Sequence, residues 1–189
     1  EAGKLKEGAE EAIRRALALR HMELPVGDFI LEGLEKGVPD AARKLLEMNV
    51  DDERNHDLAL GYAASSHGTD EKAEAEALRL QKAWIDHPDH TICKAMVAER
   101  SIFFVILPLF RFLGDAGLRT VSADISRDEQ IHVATNSLVC RELGLSHSSS
   151  LDKLRKATMS WMLEPLKETG PDKFLTKKFW ADSSDRLMY

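Results

Sequence analysis

Asp52-Glu53-Arg54-Asn55-His56 and Asp128-Glu129-Gln130-Ile131-His132 decide how this chain folds, because both spell D-E-x-x-H and each has a glutamate upstream at the same distance. Glu23 precedes Glu53 by 30 residues, and Glu99 precedes Glu129 by the same 30. On a helix, residues three apart share a face, so each Glu-x-x-His pair points one way. A single Glu-x-x-His is common on helix surfaces and usually means two solvated side chains. Two copies with matched upstream glutamates form an internal repeat, and the repeat calls for a shared purpose.

Working outward, breakers divide the sequence into long helical stretches. Gly37-Val38-Pro39-Asp40 separates a helix over about 5–36 from one over about 40–65, and Gly114-Asp115-Ala116-Gly117 separates about 90–113 from about 118–143. Between these two hairpins, Thr69 or Asp70 can cap a shorter helix over about 70–85 that Asp86-His87-Pro88-Asp89-His90 closes. Ser148–Ser150 opens a last helix over about 150–168, and from Gly170 onward the pattern reads as irregular. The expectation is all-α: a ferritin-like four-helix bundle with one long crossover, a short crossover helix and an extra C-terminal helix. The bundle takes residues 1–168, and 169–189 form a tail.

In such hairpins, residues equidistant from the turn lie at one height. Positions 38 and 114 are each about 15 residues from both glutamates of their hairpin, so all six residues fall in one layer. The faces that carry them are apolar: Ala16, Leu19, Glu23, Val26, Ile30; Leu46, Val50, Glu53, His56, Leu60; Ile92, Met96, Glu99, Phe103, Ile106; Val121, Ile125, Glu129, His132, Asn136. Four carboxylates facing one apolar core are prohibitive unless cations neutralise them. Two divalent ions supply the four positive charges. The predicted ligands are therefore Glu23, Glu53, His56, Glu99, Glu129 and His132, the known set of di-iron and di-manganese carboxylate proteins. Oxygen and imidazole donors without thiolate suit iron or manganese (Fe/Fe, Mn/Mn or Mn/Fe) rather than structural zinc. Pro25 disturbs the helix at Glu23, and Glu11 and Glu32 are rivals with poorer spacing to Glu53. Asp52 and Asp128 are candidates to hydrogen-bond the ligand histidine of the opposite hairpin.

The rest of the sequence narrows the class. The chain has 189 residues, a formal net charge of −6, 43% hydrophobic and 31% charged residues, which fits one globular domain. An acidic balance argues against nucleic-acid binding. Cys93 and Cys140 are too few for a disulfide framework and suggest a reducing cytoplasm, each as a small buried hydrophobe. The apolar run 102–110 contains Pro108 and is about half the roughly 20 residues that span a bilayer, so no membrane segment is expected, and no signal peptide opens the chain. His21, His67, His87, His90 and His147 read as solvated residues at helix ends and in loops.

The stretch from Glu99 to Asn136 carries more than spacing. Glu99-Arg-Ser-Ile-Phe-Phe, then Gly117-Leu118, then Ile125-Ser-Arg-Asp-Glu-Gln-Ile-His132 resembles the small, radical-generating subunit of class I ribonucleotide reductase. The resemblance covers about a fifth of the chain. It implies Glu99, Glu129 and His132 as metal ligands, Asp128 bonded to His56, a homodimer, dioxygen as oxidant and a reductase large subunit as partner. Leu60 stands where that family usually carries its radical tyrosine, Tyr62 should face away from the metals, and Tyr189 is the tail aromatic. Two other uses of such a site are a stand-alone di-iron oxidase or oxygenase of a small organic substrate and a bacterioferritin-like ferroxidase for iron storage.

Overall fold

The computed structural model describes residues 3–188. Among them the chain is helical, with no strand beyond a single bridge between Lys167 and Thr176. The first helical stretch comprises α1 (Glu10–Ala18), a tight 3-10 turn (Leu19–Met22) and α2 (Glu23–Lys36). Gly37, at φ +99°, reverses the chain into α3 (Asp40–His67); a side chain there would be strained. α4 (Glu71–Ile85) lies in the connection and is capped by the Asp70 carboxylate, which accepts from the Ala73 amide. The next stretch is α5 (Thr91–Ala98), a π-helical turn (Glu99–Phe103) and α6 (Phe104–Leu113). Asp115 then caps α7 (Ala116–Glu142) by accepting from Leu118. α8 (Ser149–Leu163) follows, then a 3-10 turn (Lys173–Leu175) and α9 (Lys177–Met188).

The two short turns make two antiparallel hairpins. They meet along α3 against α7 and along α2 against α5, so four helical stretches surround one core. At Gly33 a Cβ would come within 2.3 Å of the Ile92 side chain, which is how closely α2 and α5 approach. α4 crosses the outside and packs on α1 and on the turn at Leu19–Met22. Its fully buried Trp84 donates from Nε1 to Thr158 on α8, 3.1 Å away, which ties the crossover to the last helices.

Three local features differ from expectation. The first and fourth helices are not continuous: a 3-10 turn ends at Met22, one residue before Glu23, and a π turn begins at Glu99. Periodicity averaged over a long stretch does not register one residue more or less per turn. The tail 169–189 is not irregular either, because 177–188 form α9. Trp180, Ser184 and Met188, four residues apart, put one buried stripe on it. Trp180 packs edge-on to Phe179, and Phe174 stacks on Phe112 at 4.2 Å, so the segment docks on α6 through aromatic rings. A lone serine inside that stripe hid it from sequence reading. Tyr189 lies outside the described residues.

No described helix is long and apolar enough to cross a membrane. The apolar run 102–110 is core: Ile102, Phe103, Val105, Ile106, Leu107, Leu109 and Phe110 are all buried.

Candidate metal centre

The six predicted ligands come from four separate helical segments and converge in the core. Glu23, Glu53, Glu99 and Glu129 are 0% exposed, and His56 and His132 are 3% and 2% exposed. Their donor atoms form two groups, each compact enough to hold one ion: Glu23, Glu53, His56 and Glu129; and Glu53, Glu99 and His132. Glu53 belongs to both. Its Oε1 is 3.2 Å from His132 Nδ1 and its Oε2 is 3.6 Å from His56 Nδ1. Glu129 Oε1 also faces both rings, at 3.4 Å from His56 Nδ1 and 3.7 Å from His132 Nδ1. The ring centroids are 5.8 Å apart.

Each histidine uses its far nitrogen on the opposite hairpin. His56 Nε2 lies 3.2 Å from Asp128 Oδ2, and His132 Nε2 lies 3.1 Å from Asp52 Oδ2. A carboxylate on Nε2 accepts its proton and leaves Nδ1, on the inner side, as the donor atom for a cation. These aspartates sit at the rim, with side chains 44% and 33% exposed. Asp128→Ala is expected to weaken metal affinity about 10- to 100-fold with the fold unchanged. Competition with a chromophoric chelator measures it, and an unchanged affinity would remove Asp128 from the site.

The fit to a cation is visible in what lacks a partner. Both oxygens of Glu23, both of Glu129, one of Glu53 and the inner nitrogens of His56 and His132 are buried without a hydrogen bond. Seven orphaned polar atoms in one part of the core are costly, and in native proteins such groups find partners. The donor set, four carboxylates and two imidazoles without sulfur, suits hard to borderline divalent ions such as iron or manganese.

Two asparagines that sequence reading gave no role complete one side. Asn49 Nδ2 donates to Glu53 Oε1 at 2.8 Å and to Glu99 Oε1 at 3.2 Å. Asn136 Nδ2 donates to Glu99 Oε2 at 2.7 Å. The readable signal was spacing: Asn49 is one turn before Glu53 and Asn136 one turn after His132. Glu23 has no such amide donors on either oxygen. The Glu99 side is thus hydrogen-bonded and the Glu23 side bare.

Electrostatics follow from crowding. Burial pushes the Glu23 and Glu99 carboxyls well above the usual range. Burial also pushes Glu53 up, but the imidazoles of His132 and His56 beside it outweigh burial and hold the group at about 2. His132 is opposed by burial yet raised to about 11 by Glu129 and Glu53, and His56 is raised in the same way by Glu129, Glu23 and Glu53. Without metal, protons therefore neutralise the carboxylates. At pH 7 both imidazoles carry a proton that a bound ion displaces, and the raised Glu23 and Glu99 can each yield one more. Loading at pH 7 is expected to release two to four protons per chain. Titration calorimetry in buffers of different ionisation heat counts them, and release of none would contradict this charge balance.

Three of the remaining histidines, expected to be solvated, pair with carboxylates instead. His21 Nε2 pairs with Glu74 at 2.5 Å, His67 with Asp115 at 3.4 Å and His87 with Asp89 at 3.6 Å. None belongs to a donor group among the described residues, nor do the rivals Glu11 and Glu32. No family model, curated protein or solved structure matches the chain.

Proposed function

We propose that this chain is a ferritin-like dimetal carboxylate oxidoreductase that activates dioxygen, most similar in role to the small subunit of class I ribonucleotide reductase. The observation that carries it is Glu53, one carboxylate shared by two adjacent donor groups. Glu23, Glu53, His56 and Glu129 would hold one ion, and Glu53, Glu99 and His132 the other. Held by these residues, a pair of redox-active ions would supply electrons for the reduction of dioxygen.

The chain's own residues supply the rest. Asp52 and Asp128 keep the histidine protons on Nε2. Asn49 and Asn136 orient Glu99. Val26, Ile30, Leu60, Ile125 and Phe103, all buried, exclude bulk water from the layer. A crevice of about 170 Å³ between α2 and α3, lined by Leu24, Gly27, Leu31, Val50 and Glu53, approaches the donors from outside. Organic ligands usually occupy about 300–1,000 Å³. The crevice is smaller than that.

Leu60 is buried, 1% exposed, and Tyr62 is 74% exposed, so no described tyrosine lies in the donor layer. An oxidising equivalent delivered to a partner would therefore not start from a tyrosine in that layer among the described residues.

The test is anaerobic loading with iron(II) or manganese(II), metal analysis, then oxygen addition followed by absorption and electron paramagnetic resonance. Two metals per chain, oxygen uptake and a new spectrum are expected. A loaded protein that leaves oxygen unconsumed would overturn the reading. Binding of a reductase large subunit that depends on the C-terminal tail separates a reductase role from a free-standing oxidase, and a 24-subunit particle in size exclusion would indicate storage instead.

A further inference from the structure

Cys93 and Cys140 take no part in the donor groups, yet they are the chain's two cysteines and they face each other. Their Sγ atoms are 3.7 Å apart, Cys93 on α5 and Cys140 on α7. They are 0% and 5% exposed. A disulfide needs about 2.05 Å between sulfurs, so the pair is roughly 1.7 Å from bonding distance, within reach of small side-chain rotations. The pair also adjoins the candidate centre. Cys140 is one helical turn beyond Asn136, the amide that holds Glu99, and Cys93 precedes Glu99 on the same helical stretch.

We propose that Cys93 and Cys140 form a reversible dithiol–disulfide pair whose oxidant is hydrogen peroxide, cross-linking α5 to α7 beside the candidate metal centre. Burial selects the oxidant. A bulky disulfide such as oxidised glutathione cannot reach a sulfur with no exposed surface, whereas peroxide is close to water in size.

The chemistry balances in two steps. The Cys93 thiolate attacks one peroxide oxygen and breaks the O–O bond, giving a sulfenic acid and hydroxide, which takes up the proton Cys93 lost. The Cys140 thiol then attacks the Cys93 sulfur and its proton leaves with the hydroxyl as water. Overall, two thiols and one peroxide give one disulfide and two waters; the sulfurs lose two electrons and the peroxide oxygens gain them. Cys93 is suited to go first, because the hydrogen bond from Cys140 favours its thiolate. With Cys140 at hand, oxidation stops at the disulfide rather than climbing to sulfinic acid.

The pairing does not depend on the metal reading, so the test uses the full chain held metal-free by a chelator. Folded protein is treated with hydrogen peroxide, quenched, alkylated in denaturant and weighed. The expected product takes no alkylating reagent on either cysteine, yields one peptide linking 93 to 140 that is 2 Da lighter than the two thiol peptides together, and returns to two free thiols with dithiothreitol. Cys140→Ser should remove the cross-link and let Cys93 gain oxygen instead, 16 or 32 Da. Circular dichroism checks that the variant is folded; should it not be, Cys140→Ala serves. The proposal is overturned if Cys93 or Cys140 of the natural chain gains oxygen without a cross-link, or if both thiols persist under peroxide that oxidises free cysteine.

Discussion

Replacing Glu53 with alanine is expected to reduce the metal held after desalting from two ions per chain to less than one, measured by inductively coupled plasma mass spectrometry. The effect is larger than for any other ligand because Glu53 serves both donor groups. Without it, one group retains Glu23, His56 and Glu129, and the other only Glu99 and His132. Two donors do not hold a labile divalent ion against water, and three carboxylates no longer balance two dications. Glu129→Ala should be milder, since the Glu53, Glu99 and His132 group stays whole, so about one ion should remain. Circular dichroism should show both variants helical, because the bundle packs around many apolar residues besides these. If Glu53→Ala still bound two ions tightly, the shared-ligand geometry would be wrong and the proposed function would go with it.

Arg155→Met is expected to cost about 3–5 kcal/mol of stability, the range for removing one partner of a buried ion pair. Arg155 is 1% exposed yet fully engaged. Its Nε and Nη2 donate to Asp152 at 2.9 and 2.7 Å, Nη2 also reaches Asp185 at 2.7 Å, and Nη1 reaches Ser184 at 2.7 Å. Ser184 donates onward to the Ser101 carbonyl at 2.8 Å, inside the π turn that begins at Glu99. Methionine fills much of the volume but leaves Asp152 without its buried partner. Lys156, 2.9 Å from Asp152, remains and should hold the loss near the low end. For a chain of this length the melting temperature should fall by roughly 6–12 °C. A fall under about 2 °C in thermal unfolding would mean the network contributes little.

The clustering of the six side chains was legible because it rests on helical geometry alone: a 30-residue repeat across short turns brings Glu23 and Glu53, or Glu99 and Glu129, to one height whatever the details of winding. The exchange of Asp52 and Asp128 between hairpins followed from the same repeat. Asn49 and Asn136 were visible as letters but had no motif to announce them, since an amide one turn from a ligand is ordinary on any helix. The links Arg155–Ser184–Ser101 and Cys93–Cys140 join residues 29 to 83 positions apart. Nothing local in the sequence signals such contacts, and only the packing of α8, α9 and the two hairpins creates them.

The π turn at Glu99–Phe103 has a counterpart in the first hairpin, and the two have opposite sense. Before Glu23 the backbone is overwound into a 3-10 turn; from Glu99 it is underwound. The sequence repeat suggests a molecule with internal two-fold symmetry, and the backbone breaks that symmetry at the two corresponding glutamates. One half presents a bare carboxylate, the other a carboxylate clasped by two amides. A duplicated hairpin has in this way become two halves that are not interchangeable, and two ions seated in it would not be equivalent.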